Sequence, residues 1–124
     1  MVKNILGNIP LENISFLKSS SLKIGDTRII SNKNAIYKLV AHYLMNEKNS
    51  KQLPINDVCR FHLGNGAIID DIVINANISD VGFKRSFGVM VNYLYELKNI
   101  EKNHEEYINK KTTIISNKVK KLIQ

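Results

Sequence analysis

The chain has 124 residues, 44% hydrophobic and 23% charged, with one cysteine and a formal net charge of +7. That length holds one well-cored domain but not two, and the composition excludes wholesale disorder. No run of about 18 apolar residues occurs, so no segment reads as a membrane-spanning helix. Met1 to Gly7 lacks the long apolar stretch of a secretory leader, since Ile5-Leu6 is too short. The lone Cys59 rules out an internal disulfide framework and fits a reducing compartment, so a soluble, cytoplasmic protein is expected. Fifteen of the 18 cations are Lys, whereas nucleic-acid and phosphate binders often use the bidentate Arg fork. A solvated surface is the plainer reading, although the field would still favour a polyanionic ligand, including a nucleotide-like cofactor.

In chain order, residues 1–32 read as a lead-in of short helices and loops. Pro10 opens a turn or a first helical position before Leu11 to Lys18, and Ser19-Ser20-Ser21 with Gly25-Asp26 is a loop signal. Residues 34–46 form the clearest helix. Ala35, Ile36, Leu39, Val40, Tyr43 and Leu44 make one apolar stripe, with Asn32 or Asn34 as the cap and His42 beside it. Residues 46–56 are polar, carry Pro54 and read as a loop. A short helix starts near Asp57, capped by Asn56 or Asp57, and Gly64-Asn65-Gly66 stops it. Residues 67–78 are β-branched and put Ile68, Ile72, Ile74 and Ile78 on one parity. Asp70 breaks that face, which allows a bulge or an edge. A turn around Gly82 occupies 79–86. Residues 87–96 read as a second strand with Val89, Val91, Tyr93 and Tyr95 on one face, and Met90, Asn92 and Leu94 on the other. A helix is the rival reading there, because Met90, Leu94 and Leu97 also fit a helical stripe. Residues 99–109 form a helix with Ile100, His104, Tyr107 and Ile108 roughly on one side. After an extended Thr112 to Ile115, Ser116 caps a last helix that turns Val119, Leu122 and Ile123 inward.

The side chains that could carry chemistry are few. His42, His62 and His104 lie far apart without helical ligand spacing, and one cysteine makes no metal site. Cys59 and His62 share a helix face at a spacing of three, but nothing marks an orienting partner, and a small buried Cys is the simpler reading. Phosphate-cradling loops of the G-x-x-x-x-G-K-[ST] or G-x-G-x-x-G type are absent. Lys110-Lys111 and Lys118, Lys120 and Lys121 form basic clusters without interleaved aromatics, as a solvated helix face would. His62 stands apart. It sits at the end of a short helix beside a Gly-rich stop, where an imidazole that changes charge near neutrality suits proton transfer.

Three blocks sharpen this reading. They are Arg60-Phe61-His62-Leu63-Gly64-Asn65-Gly66-Ala67, Gly88-Val89-Met90-Val91-Asn92-Tyr93-Leu94-Tyr95-Glu96-Leu97, and Ile100-Glu101-Lys102-Asn103-His104-Glu105-Glu106-Tyr107. In that order and spacing they resemble the C-terminal portion of malonyl-CoA decarboxylase, and Ser116 to Ile123 resembles that family's final helix. The likeness covers 56–123 and extends back to about 33, so 33–124 is expected to be a C-terminal segment of such a catalytic domain.

The resemblance implies an α+β fold: the C-terminal portion of a GNAT-like (acyl-CoA N-acyltransferase-like) mixed sheet with flanking helices. It implies decarboxylation of malonyl-CoA to acetyl-CoA and carbon dioxide, with a CoA thioester as substrate and no metal or organic cofactor. The family's catalytic histidine, in F-H-L-x-N-G-A, falls on His62. The active-site tyrosine, second of the N-Y-x-Y pair, falls on Tyr95. Asn65 and Asn92 lie within the matched motifs and read as structural. The family's Ser-Pro-x-Pro-Gly-Phe motif has no counterpart, because Ser19 to Ser21 lack its Pro and Gly, and its main CoA-binding loop is also missing. Where the family carries Ile-Asn-Trp and then Ala-Asp, this chain has Ile72-Val73-Ile74 and Ala76-Asn77. The expectation is half an active site on one chain, with a second polypeptide supplying the serine. The alternatives are a decayed, non-catalytic remnant and a small basic nucleic-acid-binding module. An incomplete sheet would also expose an edge and an apolar face, so homo-oligomerisation is expected.

Overall fold

The computed structural model describes residues 27–76, 79 and 88–124. The lead-in helix at 11–18, the turn around Gly82 and Ile78 lie outside those residues. Helix α1 (Thr27–Ser31) is short and seats a fully buried Ile29. Helix α2 (Lys33–Asn46) follows at once. Asn32 occupies the cap position, but its side chain donates to the Arg28 carbonyl at 2.9 Å and caps nothing. The buried set on α2 is Ala35, Ile36, Ala41 and Leu44, so the expected stripe is corrected: Ala41 joins it, and Leu39, Val40 and Tyr43 are only half-buried.

The loop after α2 folds back on itself. Lys48 and Pro54 form an antiparallel bridge, and the Asn49 side chain accepts from the backbone N–H groups of Lys51 and Leu53 at 2.9 and 3.1 Å. Helix α3 (Asp57–Gly64) begins where the sequence places it. The Asn56 side chain accepts from the Cys59 N–H at 2.9 Å, satisfying one of the first-turn donors that have no partner within the helix.

Strands β1 (Ile68–Val73) and β2 (Met90–Leu94) pair antiparallel. Residues 87–96 are therefore not helical over β2. The register runs Ile69↔Tyr93 and then Asp71↔Asn92, which leaves Asp70 as the extra residue of a bulge. The bulge corrects the single-parity reading. Ile69 and Ile72 both reach the core, and Ile68 stands on the opposite face. The strand stops at Val73, before 78, and Asn75 turns the chain with φ 53°.

On the other side of β1 the extended segment before Ser116 adds a parallel bridge. The Ile69 N–H donates to Ile114 O at 3.0 Å, and the Ser116 N–H to Ile69 O at 2.9 Å. The Ser116 hydroxyl donates to Asp70 O at 2.6 Å and accepts from the Val119 N–H at 3.2 Å, so it closes the bulge and caps helix α5 (Asn117–Leu122) together. Helix α4 (Ile100–Lys110) follows a single 3₁₀ turn at Leu97–Asn99. Its buried residues are Asn103 and Tyr107, whereas His104 and Ile108 are exposed, so the side shared by Ile100, His104, Tyr107 and Ile108 is not buried as a whole. Asn103 faces in because its amide donates to Gly66 O at 3.2 Å.

Ile29, Ile36, Ala41, Leu44, Cys59, Leu63, Ile69, Ile72, Val89, Tyr107 and Val119 make one core. The result is an α+β arrangement in which helices pack on one small sheet.

Candidate functional site

Helix α3 has only two turns, and its residues divide cleanly. Cys59 and Leu63, four apart, point into the core, while Val58 and Phe61 point to solvent. His62 falls between the two faces and projects toward the end of β2. There its Nδ1 lies 2.6 Å from the Tyr95 hydroxyl oxygen. The two residues are 33 positions apart and come from different motifs. The fold thus brings together the two residues that the sequence singles out.

Aromatic rings surround the imidazole. Tyr93 stacks on it with centroids 4.4 Å apart and planes 21° from parallel. Phe61 meets it edge-on at 5.2 Å, and Tyr95 edge-on at 5.8 Å. Such offset and edge geometries are the favourable ones for π-systems. His62 is half-buried and Tyr95 exposed, so the pair is open to a ligand.

Behind the imidazole lies a neutral buried layer. There the Tyr93 hydroxyl and the Cys59 thiol interact. Burial pushes the Cys59 thiol up to about 11, with Tyr93 and the Lys48 charge acting weakly the other way. Burial, reinforced by Cys59, also holds the Tyr93 phenol well above the usual tyrosine range. Lys48 is pushed below the ordinary lysine value by its own burial and donates to Thr113 Oγ1 at 3.2 Å. A thiol this protonated and fully enclosed is no nucleophile, and its partner is Tyr93. Cys59 is packing.

The stop at the end of α3 is fixed from α4. Gly66 has φ +91°, and a Cβ there would sit 2.5 Å from the Ile100 carbonyl oxygen, so only glycine fits. The His104 Nδ1 lies 2.6 Å from Gly64 O; a carbonyl only accepts, so Nδ1 carries the proton. Asn65 donates from its side chain to Phe61 O at 3.0 Å, and Asn92 is exposed opposite Asp71. Strand parity puts Tyr93 on one face with Tyr95 but gives it no part in the site, and helical spacing makes His104 a helix-face residue. The signal for Tyr93 was its parity with Tyr95, two residues on. Among the described residues, no group of three or more His, Cys, Asp or Glu side chains could hold a metal ion. No helix among them is long and apolar enough to cross a membrane.

Known proteins give the same pattern over nearly the whole chain. The family profile described as the malonyl-CoA decarboxylase C-terminal domain matches residues 3–124. The mitochondrial malonyl-CoA decarboxylase of Mus musculus is 30% identical over 123 residues, covering 98% of this chain and 25% of its own length. That of Rattus norvegicus is 35% identical over 88 residues, covering 71% of this chain and 18% of its own. The crystal structure of malonyl-CoA decarboxylase from Agrobacterium vitis superposes with a TM-score of 0.83 at 28% identity, covering 99% of this chain and 31% of that one. The enzyme from Rhodopseudomonas palustris gives 0.80 at 33% identity, covering 89% and 25%. The chain spans about a quarter of the length of the mouse enzyme. Sequence motifs, strand pairing and backbone superposition agree, and the chain belongs to the malonyl-CoA decarboxylase C-terminal domain family.

Proposed function

We propose that this chain is the C-terminal catalytic segment of a malonyl-CoA decarboxylase, with 33–124 as the working unit of a GNAT-like sheet. In this reading His62 and Tyr95 handle the proton. The observation that carries it is the 2.6 Å contact between His62 Nδ1 and the Tyr95 hydroxyl, reached from two separate family motifs.

The chemistry is an enolate problem. The bond between C2 of malonyl-CoA and its carboxylate breaks, carbon dioxide leaves, and the electron pair stays on C2 and the thioester oxygen. One proton added at C2 then gives acetyl-CoA. Protonated His62 donates through Nδ1–H to Tyr95 Oη and keeps Nε2–H for transfer to C2, leaving a neutral imidazole. Tyr95 holds the ring by one nitrogen so that the other serves the substrate. Donors for the enolate oxygen are assigned to the serine-bearing part, which this chain lacks. The thioester stabilises the charge itself, and the proposal uses no resident cofactor.

The partner in this reading is a second polypeptide carrying the serine-containing portion. The exposed Val58, Phe61, Leu94 and Leu97 near the pair support it. A cytoplasmic location belongs to the same proposal, supported by the lone protonated thiol, which suits a reducing compartment.

The test is decarboxylation of malonyl-CoA by the purified chain, alone and mixed with a polypeptide supplying the missing portion. Turnover is expected only in the mixture. His62→Ala should lower it by about a hundredfold or more, the scale of a lost general acid. Turnover by the chain alone would refute incompleteness. A mixture that stays inactive while forming a complex would make the chain a non-catalytic remnant.

A further inference from the structure

We propose that Tyr93 is the positioning residue for the His62 imidazole. The proposal rests on the reading of His62 as the proton-transfer group. An imidazole held by one hydrogen bond still swings about it, because the terminal torsion of histidine is broad. Tyr95 supplies that one bond, to Nδ1. Tyr93 supplies a wall, lying against a face of the ring at 4.4 Å and within 21° of parallel.

The wall is itself anchored. The Tyr93 hydroxyl also interacts with the thiol of Cys59, three residues before His62 on the same helix. Tyr93 therefore touches α3 twice, with its ring on His62 and its hydroxyl on Cys59. These contacts set the distance between α3 and β2 as well as the plane of the imidazole. Phe61 closes a third side edge-on. With Nδ1 committed to Tyr95, only Nε2 is left to face a ligand. Burial keeps both members of the anchor protonated, so it does not change charge across the neutral range.

The experiment is nuclear magnetic resonance on the whole chain with labelled histidine, the His62 signals being assigned by their loss in His62→Gln. Stacking on Tyr93 should displace the His62 ring protons upfield of those of His42, with cross-relaxation between the His62 and Tyr93 rings. Tyr93→Phe keeps the ring and should keep the displacement. Tyr93→Leu should abolish it and let the imidazole sample several orientations, while the Ile69 and Val119 methyl signals stay in place. Loss of those methyl signals would mean that Tyr93→Leu has unfolded. The wild-type cross-relaxation and the Tyr93→Phe spectrum then decide. Absent cross-relaxation, or His62 ring signals unmoved by Tyr93→Leu, would overturn the proposal. In a complemented enzyme, Tyr93→Leu should lower kcat by about tenfold or more with KM within about twofold, as a misaligned proton donor does. If no turnover exists to compare, the functional reading has failed, and the ring measurements still decide the role of Tyr93.

Discussion

Cys59 shows how environment, not residue type, fixes chemistry at the scale of one side chain. In the sequence it stands three residues from a histidine and invites a nucleophilic reading. In the fold it is fully enclosed, interacts with the Tyr93 hydroxyl, and has its thiol pushed from 9.0 up to about 11. A folded-state value above the unfolded one means that the unfolded chain loses the proton first. The stabilising difference is complete below pH 9 and disappears between about 9 and 11, amounting to about 3 kcal/mol. Urea midpoints should fall steeply across that window in the wild type and less steeply in Cys59→Ala. Equal slopes in the two proteins would contradict the burial account. Part of the fall should persist in the variant, because the Tyr93 and Tyr107 phenols are also raised.

At the scale of elements, local signals were legible and tertiary ones were not. Asn56 capping α3, Ser116 capping α5 and the glycine stop after α3 are decided by neighbours within four residues, so the sequence carries them. The inward face of α4 is decided by a distant contact, the Asn103 amide on Gly66 O; on β1 the broken parity at Asp70 already allowed a bulge, but not which isoleucines it turns inward. The site divides in the same way. His62 and Tyr95 were legible from their motifs, whereas the role of Tyr93 depends on how closely α3 approaches β2. The joint between α3 and α4 yields a direct prediction. Gly66→Ala meets both a left-handed backbone and the Ile100 carbonyl oxygen 2.5 Å away. It should cost about 2 kcal/mol or more, read as a lowered denaturation midpoint. A midpoint within error of the wild type would show that the turn relaxes.

At the scale of the molecule, one region of the surface carries apolar side chains. Val58, Phe61, Leu94, Tyr95 and Leu97 are all exposed, Leu97 at 90%. Among the described residues β2 pairs only with β1, so its outer edge has no strand beside it. Such an edge and such apolar side chains favour association. The net charge of +7 opposes it by mutual repulsion, which salt screens. The chain alone should therefore elute as species larger than its 14.1 kDa monomer, and more so as salt rises. A polypeptide supplying the missing portion should convert them into one defined complex. A sharply melting monomer at high salt would show that the chain closes by itself.

The bulge in β1 has an evolutionary corollary. Removing Asp70 would leave Ile69 against Tyr93 and Ile72 against Val91, the same partners as before, in an unbroken ladder. Removing Asp71 instead yields the same sequence, so the two aspartates are interchangeable as the extra residue. Asp70 thus shares with Asp71 the place at which this strand can lose one residue without changing what it buries. Its loss would forfeit the closure by Ser116 and the contact with Lys118. When relatives of unequal length are aligned, the gap belongs at the Asp70-Asp71 pair.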